Sequence, residues 1–473
     1  MAKAPKTYAC TACGAVFPKW SGRCEACGAW NTLEEQVAYK AAPGGLTQTA
    51  LRAGSRIEFV GLEGISPPPP RIPSHIAEFD RVLGGGLVPA SVVLVGGDPG
   101  IGKSTLLLQA SAALGRSGQE VVYISGEESV DQIRLRALRL GVSDATLHLA
   151  TATQLGDILT SLPHFPNAAL VVIDSIQTMW TDSVDSAPGS VTQVRAAAFE
   201  LIRAAKTQGF ALLLVGHVTK EGALAGPRVL EHMVDVVLHF EGDRGHQFRI
   251  LRGIKNRFGA TDEIGVFEMT GRGLAEVANP SALFLAERRG NVAGSAVLAG
   301  LEGSRPVLVE IQCLLAPNPG GSPRRSVIGW DSGRLAMLLA VLETRCGLKL
   351  AMNDVYLNVA GGLRVNEPAA DLAVAAALIS AASDVPTDPE MVFFGEIGLS
   401  GEVRQVAQTE LRLKEAAKLG FVRAAGPKRV AGGTAKLSRP KSLSLTEIGH
   451  LSDLAGLVAT GQNPALNRRE GSK

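Results

Sequence analysis

The stretch Gly96-Gly97-Asp98-Pro99-Gly100-Ile101-Gly102-Lys103-Ser104-Thr105 decides the fold, because it fits the pattern G-x-x-x-x-G-K-[ST]. An apolar run at residues 92–95 predicts a buried strand before it, and residues 105–109 predict the first turns of a helix after it. Glycines let backbone N–H groups turn toward a phosphate chain, and a helix N-terminus adds partial positive charge. The pattern predicts a nucleotide-binding loop rather than a glycine-rich turn that binds nothing. The residues expected to bind ATP are Gly97, Asp98, Pro99, Gly100, Ile101, Gly102, Lys103, Ser104 and Thr105.

Two residues of the loop and one residue after another predicted strand are expected to contact the phosphates and Mg²⁺. Lys103 is long enough to reach the β- and γ-phosphates, and Ser104 has a hydroxyl group that can ligate Mg²⁺. Another apolar run, at residues 170–173, ends at Asp174, where a carboxylate can hold Mg²⁺ through water. A fourth strand is predicted at residues 210–217. Strands that alternate with helices predict a parallel α/β sheet covered on both faces.

Two adjacent acids, Glu127 and Glu128, follow a predicted strand at residues 120–125. Acids at the carboxyl end of a parallel strand lie at the ligand-binding edge, where one carboxylate can polarise the water that attacks the γ-phosphate. The alternative is that they only favour the start of a helix. We predict a catalytic role, with a slight preference for Glu127. Polar loops at residues 182–195 and 218–228 leave the same edge, and they either grip a polymer or are solvated surface loops.

Four of the six cysteines lie in the first 27 residues as two C-x2-C pairs, Cys10 with Cys13 and Cys24 with Cys27. A glycine follows each second cysteine and permits the positive φ that a metal-binding turn needs. Four thiolates are typical of structural Zn²⁺, with an Fe–S cluster or a redox pair as the alternative. Because about 30 residues cannot build their own core, zinc binding is expected to fold this segment.

Length and composition limit the class of protein. The chain has 473 residues, of which 46% are hydrophobic and 19% charged, and this indicates two or three globular domains. A net charge of +2 predicts no overall attraction to nucleic acid, so any basic surface must be local. No segment resembles a signal peptide or reaches the roughly 20 apolar residues of a membrane helix. We therefore expect a cytoplasmic protein without membrane contact. The remaining cysteines, Cys313 and Cys346, are predicted to be core residues.

A short motif, Lys255-Asn256-Arg257-Phe258-Gly259, follows a strand-like segment at residues 248–253. Two cations and an aromatic ring suit an intersubunit finger, a phosphate clamp or a stacking platform, and a solvated turn is the alternative. The chain also carries the lead-in Glu78-Phe79-Asp80-Arg81-Val82-Leu83-Gly84-Gly85-Gly86. Together with the four cysteines and the nucleotide-binding loop, these motifs make the whole chain resemble the RadA (Sms) family, bacterial RecA-like ATPases of recombinational repair.

The resemblance implies a RecA-like P-loop ATPase core, an N-terminal zinc ribbon and a C-terminal α+β domain similar to that of Lon proteases. It implies a hexameric ring that binds single-stranded and branched DNA, hydrolyses ATP between subunits and drives branch migration of intermediates made by RecA. Lys255 and Arg257 would act at the subunit interface or in DNA-coupled hydrolysis. The expected organisation is a zinc finger at 1–35, a linker at 36–66, the ATPase domain at 67–275, a linker at 276–290, the Lon-like domain at 291–462 and a tail at 463–473.

The Lon-like domain lacks the residues of a protease. Ala369 stands where Lon enzymes carry the nucleophilic serine, and an ungapped alignment through residues 395–403 places Arg412 at the catalytic lysine. A serine–lysine dyad needs a hydroxyl group and an amine that can lose its proton, and neither alanine nor arginine provides these. Proteolysis is therefore excluded at this site. The main alternative to a DNA translocase is a signalling or scaffold ATPase similar to KaiC.

A basic segment lies near the end of the chain. Residues 403–441 carry ten lysines and arginines but only two glutamates. Phosphate contacts require only cations, so the segment is either a surface for duplex DNA or a solvated basic face. Its basic residues are Arg404, Arg412, Lys414, Lys418, Arg423, Lys428, Arg429, Lys436, Arg439 and Lys441.

Overall fold

The computed structural model of the chain describes residues 7–10, 15–36, 70–216, 229–242, 247–286, 288, 291–318, 320–428 and 440–459. The chain divides into two units. The first consists of Met1–Glu241, Leu251–Thr261 and Phe267–Glu276, and the second of Gly242–Ile250, Asp262–Val266 and Val277–Lys473. Most of the predicted linker (37–66) and all of the predicted tail (463–473) lie outside the described residues.

A small antiparallel sheet begins the described chain. In it, β1 (Thr7–Cys10) pairs with β2 (Val16–Phe17) on one side and with β3 (Leu33–Gln36) on the other. Its buried core consists of Cys10, Cys24 and Leu33. Because few apolar side chains are buried in the described part of this segment, their burial contributes little stability there.

Helices and strands alternate from residue 77 to residue 241, and three consecutive strands follow. In chain order they are α1 (Ala77–Leu83), β4 (Val92–Gly97), α2 (Lys103–Arg116), β5 (Glu120–Ser125), α3 (Val130–Leu140), β6 (His148–Thr151), α4 (Leu155–Ser161), β7 (Ala168–Asp174), α5 (Val191–Gln208), β8 (Ala211–Val215), α6 (Val229–Met233), β9 (Val236–Glu241), β10 (Phe248–Asn256), β11 (Ile264–Thr270) and β12 (Gly273–Glu276). Within the described residues, the strands from β4 onward form one sheet in the order β12-β11-β10-β9-β4-β8-β7-β5-β6. Six neighbouring strands of this sheet, in the order β9-β4-β8-β7-β5-β6, pair in parallel with one another.

The central strand β4 is buried along its whole length. Val93 and Val95 pack on one face with side chains of α2, and Val92 and Leu94 pack on the other face with side chains of α5. A strand covered on both faces requires a continuous apolar run rather than an alternating one, and residues 92–95 provide it. The predicted parallel α/β sheet with two covered faces is confirmed.

The carboxyl ends of the parallel strands meet at one edge of this sheet. Ser125, the last residue of β5, lies directly opposite Asp174, the last residue of β7. Strand β4 ends at Gly97, and its neighbour β8 ends at Val215. The predicted nucleotide loop and the predicted acidic residues therefore emerge at the same edge, with β8 between β4 and β7, at the position where open α/β sheets bind their ligands.

The second unit contains a mixed sheet and five helices in its described part. In chain order its elements are α7 (Pro280–Phe284), β13 (Ser295–Glu302), β14 (Arg305–Pro317), β15 (Arg325–Ile328), α8 (Ser332–Cys346), β16 (Asn353–Val359), α9 (Asp371–Ser383), β17 (Met391–Phe393), β18 (Glu396–Ile397), β19 (Val403–Arg404), α10 (Thr409–Lys418), β20 (Arg423–Pro427), β21 (Ser444–Ile448) and α11 (Leu451–Ala459). Seven of the strands form the sheet β15-β16-β14-β13-β17-β20-β21. The predicted α+β class of this domain is confirmed.

The two faces of this second sheet have separate cores. Ala296 and Leu298 face a large core that includes side chains of α8, α9 and α11, whereas Val297 and Ala299 face a smaller core with α10. Helix α7 lies within the segment 276–290 that was predicted as a linker. The hydroxyl of Ser281 in this helix accepts the Leu308 N–H at 3.0 Å and donates to Glu415 at 3.2 Å, which ties that part of the segment to the domain.

The two isolated cysteines lie where the sequence predicts. Cys313 is buried in the large core, and Cys346 packs partly buried against the same core. Burial raises the pKa of the Cys313 thiol to about 12, so it stays protonated and unreactive at neutral pH.

A buried ion pair joins α8 to α9. The guanidinium of Arg334 donates to both oxygens of Asp371, at 2.5 and 2.6 Å, and the Ile397 N–H donates to one of them at 2.9 Å. The Asp371 side chain is fully buried and that of Arg334 is 27% exposed. Burial raises the pKa of Asp371, and the Arg334 guanidinium opposes that rise. The carboxylate can remain charged in the core because the Arg334 guanidinium and the Ile397 N–H both stabilise its charged form.

We expect the substitution Arg334→Met to lower the free energy of unfolding by about 3–5 kcal/mol at pH 7, since it leaves a buried carboxylate unpaired. In the variant the folded-state pKa of Asp371 rises further above its unfolded value. The loss should therefore be complete at neutral pH and shrink as the pH is lowered through the raised pKa, because the protonated acid buries no charge. Urea denaturation between pH 5 and pH 8 measures this. Arg345→Met, on an exposed side chain of the same helix, is the control. An equal, pH-independent loss in both variants would contradict the assignment.

Candidate functional site

The glycine-rich loop turns sharply between β4 and α2. Gly97 has a φ of 153°, and a Cβ atom there would lie 2.6 Å from the Phe240 carbonyl oxygen, so only glycine fits. Ile101 is buried and anchors the loop in the core of the unit, while the residues between these two are exposed. Ser104 and Thr105 are half-buried in the first turn of α2. The exposed loop backbone and the helix N-terminus provide N–H groups for phosphate oxygens.

Lys103 lies at the centre of the loop. Its side chain is buried, and its ammonium group donates to the carbonyl oxygens of Gly97 at 2.7 Å and Asp98 at 2.9 Å. Burial lowers the pKa of Lys103, and the negative charges of Asp174, Glu127 and Asp98 oppose this. The cation is thus enclosed by the loop and faced by the acids of the neighbouring strands.

Asp174 extends from the end of β7 and is 5% exposed. The hydroxyl of Tyr123, a buried residue of β5, donates to its Oδ2 atom at 2.6 Å. Burial and the Asp174 carboxylate raise the pKa of the Tyr123 phenol well above its ordinary value, so the hydroxyl keeps its proton. Sequence reasoning missed Tyr123, because in an apolar run it reads as an ordinary strand residue.

The two adjacent glutamates have different surroundings. Glu128 forms an ion pair with Arg136 of α3, which neutralises it and turns it toward the helix. Glu127 accepts a hydrogen bond from the hydroxyl of Ser175 at 2.5 Å and is close enough to Lys103 to raise the pKa of that lysine. Glu127 is also exposed. Of the two, Glu127 therefore faces the loop.

The donor set of this edge suits a magnesium–nucleotide complex. Mg²⁺ prefers hard oxygen ligands, and Ser104 and Asp174 offer a hydroxyl and a carboxylate. The loop offers backbone N–H groups and one buried ammonium for phosphate oxygens. The structure thus brings together Lys103, Ser104, Glu127 and Asp174 of the residues predicted from the sequence.

Lys255 and Arg257 lie elsewhere in the unit. Lys255 donates to the carbonyl oxygens of Glu231 and Val234 at 2.7 and 2.8 Å, and burial and Arg257 lower its pKa. Arg257 pairs with Asp235 at 3.2 Å, and Asp235 also accepts the Val92 N–H at 3.0 Å. Val92 is the first residue of β4, whereas the nucleotide loop follows the last residue of that strand. Because a strand rises about 3.3 Å per residue, the Asp235 contact at Val92 lies about 17 Å from the start of the loop.

The loops at the nucleotide edge are only partly described. Residues 217–228, which include the whole of the predicted loop at 218–228, lie outside the described residues. The other loop is organised around the buried side chain of Gln193. Its amide group donates to the carbonyl oxygens of Thr181, Val184 and Ser186, each at 3.0 Å. The Gln193 amide therefore ties three points of this loop to the start of α5, and the sequence contains no recognisable motif for that contact.

The thiols of the ribbon converge on one point. The sulfur atoms of Cys10, Cys24 and Cys27 all lie within 4.8 Å of one another, while Cys13 lies outside the described residues. The Cys10 and Cys27 sulfurs are 3.7 Å apart. Tetrahedral zinc with Zn–S bonds of about 2.3 Å separates its ligand sulfurs by about 3.8 Å, so the described thiols fit that metal. Gly28 has a φ of 75°, as the turn after a second cysteine requires.

The two residues at the predicted positions of a Lon dyad, Ala369 and Arg412, have structural contacts. Ala369 is fully buried. Arg412 is 2% exposed, and its guanidinium donates to Glu367 at 2.7 and 3.0 Å and to the Ala299 carbonyl oxygen at 2.8 Å. It also lies over the Phe394 ring. These contacts give Arg412 a structural role.

Fewer cations of residues 403–441 are available for a basic surface than the sequence alone suggests. Arg412 is buried, so it does not belong to any surface. Four other cations have carboxylate neighbours, in the pairs Arg404–Glu402, Lys414–Glu410, Lys418–Glu415 and Arg423–Asp388. Arg429, Lys436 and Arg439 lie outside the described residues. A count of cations in the sequence therefore overstates the positive charge available to DNA.

None of the described helices combines the length and the apolar composition needed to cross a membrane.

Family models match three parts of the chain. An AAA domain matches residues 71–223, a rubredoxin metal binding domain matches residues 8–35, and the ChlI subunit of Mg-chelatase matches residues 336–429. The first two correspond to the nucleotide loop with its sheet and to the cysteine ribbon. The third lies within the second unit.

Similar proteins match the chain over nearly its whole length. DNA repair protein RadA of Brucella abortus (strain 2308) is 54% identical over 464 residues, covering 97% of this chain and 98% of the relative. The RadA protein of Bacillus subtilis (strain 168) is 49% identical over 460 residues, covering 96% and 98%. That of Rickettsia felis is 50% identical over 459 residues, covering 97% and 100%. With this identity, a cysteine ribbon and an AAA-type nucleotide site, the chain belongs to the RadA family of DNA repair proteins.

Proposed function

We propose that the chain is a DNA-dependent ATPase and translocase that promotes branch migration of RecA-made strand-exchange intermediates during DNA repair in the cytoplasm. The observation that carries the ATPase part is the convergence of Lys103, Asp174 and Glu127 at one sheet edge. The relatives named DNA repair protein RadA support the repair role. The proposed cofactors are ATP, Mg²⁺ and a structural Zn²⁺, and the proposed partners are single-stranded DNA, branched DNA and RecA.

Each residue of the site has a role that follows from its contacts. Lys103 exchanges two loop carbonyl oxygens for phosphate oxygens and neutralises their charge. Ser104 and Asp174 would hold Mg²⁺, which when bound spreads the charge of the β- and γ-phosphates. Glu127 accepts a hydrogen bond from Ser175, and its carboxylate can orient a water molecule and accept its proton. Cys10, Cys13, Cys24 and Cys27 would hold Zn²⁺ at the ribbon.

A ring of subunits would complete this site. Arg257 begins about 17 Å from the loop of its own chain, a distance that its side chain cannot bridge. A head-to-tail interface that closes into a ring would bring the arginine of one subunit to the nucleotide of the next. This supports the hexameric arrangement implied by the family, with Lys255 and Arg257 acting between subunits.

Two other functions receive less support. A protease would need a hydroxyl group and an amine where this chain has Ala369 and the buried Arg412. A signalling ATPase similar to KaiC would use the same nucleotide site, but its hydrolysis would not respond to DNA. Stimulation by DNA therefore separates the translocase from the signalling ATPase.

We expect single-stranded DNA to stimulate ATP hydrolysis by the purified chain, and the chain to unwind a forked duplex in the presence of ATP. A steady-state phosphate-release assay with and without DNA measures the first activity. Lys103→Ala removes the phosphate-binding cation and should abolish both activities while leaving the chain folded. ATP hydrolysis that is indifferent to DNA in the wild-type chain would contradict the translocase.

The different surroundings of Glu127 and Glu128 predict that replacing each with glutamine will change kcat by different amounts. Glu127→Gln should lower kcat by at least about 100-fold, because Glu127 is the exposed acid of the adjacent pair and its charge acts on Lys103. Glu128→Gln should change kcat by less than about fivefold, since that carboxylate is already neutralised by Arg136. Both variants should bind fluorescent ATP normally. The reverse order of effects in a single-turnover assay would show that Glu128 is the base.

Mixing two inactive variants tests whether Arg257 acts between subunits. Arg257→Ala retains its own nucleotide loop, and Lys103→Ala retains its own arginine. If the arginine acts on a neighbour, random mixing in equal amounts should restore about a quarter of the wild-type sites. A mixture of Lys103→Ala with Asp174→Asn is the control, because both changes damage the same site and no rescue is expected. Absence of rescue in the first mixture would argue against an intersubunit role.

A further inference from the structure

The hydroxyl of Tyr123 is a buried polar group at the candidate site for which the proposed mechanism has no use. Tyr123 is 1% exposed and Asp174 is 5% exposed. Their hydrogen bond, 2.6 Å from Oη to Oδ2, joins two neighbouring strands at the edge where the nucleotide loop emerges.

The position of this hydroxyl is fixed by packing. The Tyr123 side chain belongs to the same core as Val93, Val95 and Leu106, which come from the strand and the helix on either side of the loop. A close-packed ring cannot swing away from its place. The phenol therefore presents its proton at one point, and the Asp174 carboxylate must orient itself toward that point.

Asp174 has a competing attraction nearby. Among the charged groups that raise the pKa of Lys103, Asp174 has the largest effect. A carboxylate free to rotate can turn either oxygen toward that ammonium and away from a metal. The hydrogen bond from Tyr123 retains Oδ2 and leaves Oδ1 available to the site.

We propose that Tyr123 is a positioning residue for the magnesium–nucleotide complex, which holds Asp174 so that one carboxylate oxygen faces the metal. The proposal rests on the proposed nucleotide site. It goes beyond that site in assigning a function to a tyrosine that touches neither nucleotide nor metal. Residues that orient a metal ligand in this way typically contribute 10- to 100-fold in metal affinity.

The variant Tyr123→Phe removes one oxygen atom and retains the ring. Binding of N-methylanthraniloyl-ATP, followed by fluorescence while Mg²⁺ is titrated, should require about 10- to 100-fold more Mg²⁺ for half-saturation. Binding of the same nucleotide in EDTA should remain unchanged. Tyr356→Phe, on a solvent-exposed tyrosine of the second unit, is the matched control and should behave as wild type.

A double-mutant cycle with Asp174→Asn separates positioning from mere packing. If Tyr123 acts through Asp174, adding Tyr123→Phe to Asp174→Asn should not shift the Mg²⁺ requirement further. An unchanged Mg²⁺ requirement in Tyr123→Phe would overturn the proposal. Equal weakening of nucleotide binding with and without Mg²⁺, together with a lower Tm, would also overturn it by assigning a purely structural role. If the wild-type chain shows no Mg²⁺-dependent nucleotide binding, the proposed function itself fails.

Discussion

Enclosing the ammonium group of Lys103 is the constraint on which the first unit depends. A buried cation is costly unless carbonyl oxygens or carboxylates surround it. The loop carbonyl oxygens of Gly97 and Asp98 can turn inward only because position 97 is a glycine that lies against Phe240. The acids can face the cation only because β5 and β7 end at the same edge as β4. The buried ammonium of Lys103 thus requires both a glycine at position 97 and a strand order that brings the acids to the same edge.

Features that depend on residues close together in the sequence could be predicted from it, whereas contacts between neighbouring strands could not. The nucleotide loop, the apolar strands and the cysteine pairs each have a spacing that follows directly from backbone geometry. The contacts of Tyr123 and Ser175 depend on which strands become neighbours. The choice between Glu127 and Glu128 likewise required Arg136, which only the fold brings beside the second acid. Local pattern therefore predicts the kind of site, whereas the orientation of its groups is a tertiary property.

The second unit shows why composition misleads about charge. Arg412 adds to the positive count of its segment, yet it is buried against Glu367, a residue 45 positions earlier in the chain. Its planar guanidinium satisfies Glu367 and two backbone carbonyl oxygens, which a lysine could not do with the same geometry. An arginine at this place stabilises the domain and cannot serve as a base. Arg412, which stands at the position predicted for the catalytic lysine of a Lon enzyme, therefore has a structural role in this fold.

The two cations of the Lys255–Gly259 motif differ in how easily they can leave their present partners. Lys255 is half-buried and donates to two carbonyl oxygens, so releasing it would leave both unsatisfied. Arg257 is 57% exposed, and an exposed ion pair contributes little free energy. After Arg257 moved away, the Oδ2 atom of Asp235 would still accept hydrogen bonds from the Lys206 ammonium and the Val92 N–H. The hydrogen bond at the start of β4 would therefore remain, so Arg257 is the cation of the two that can more easily reach a neighbouring subunit.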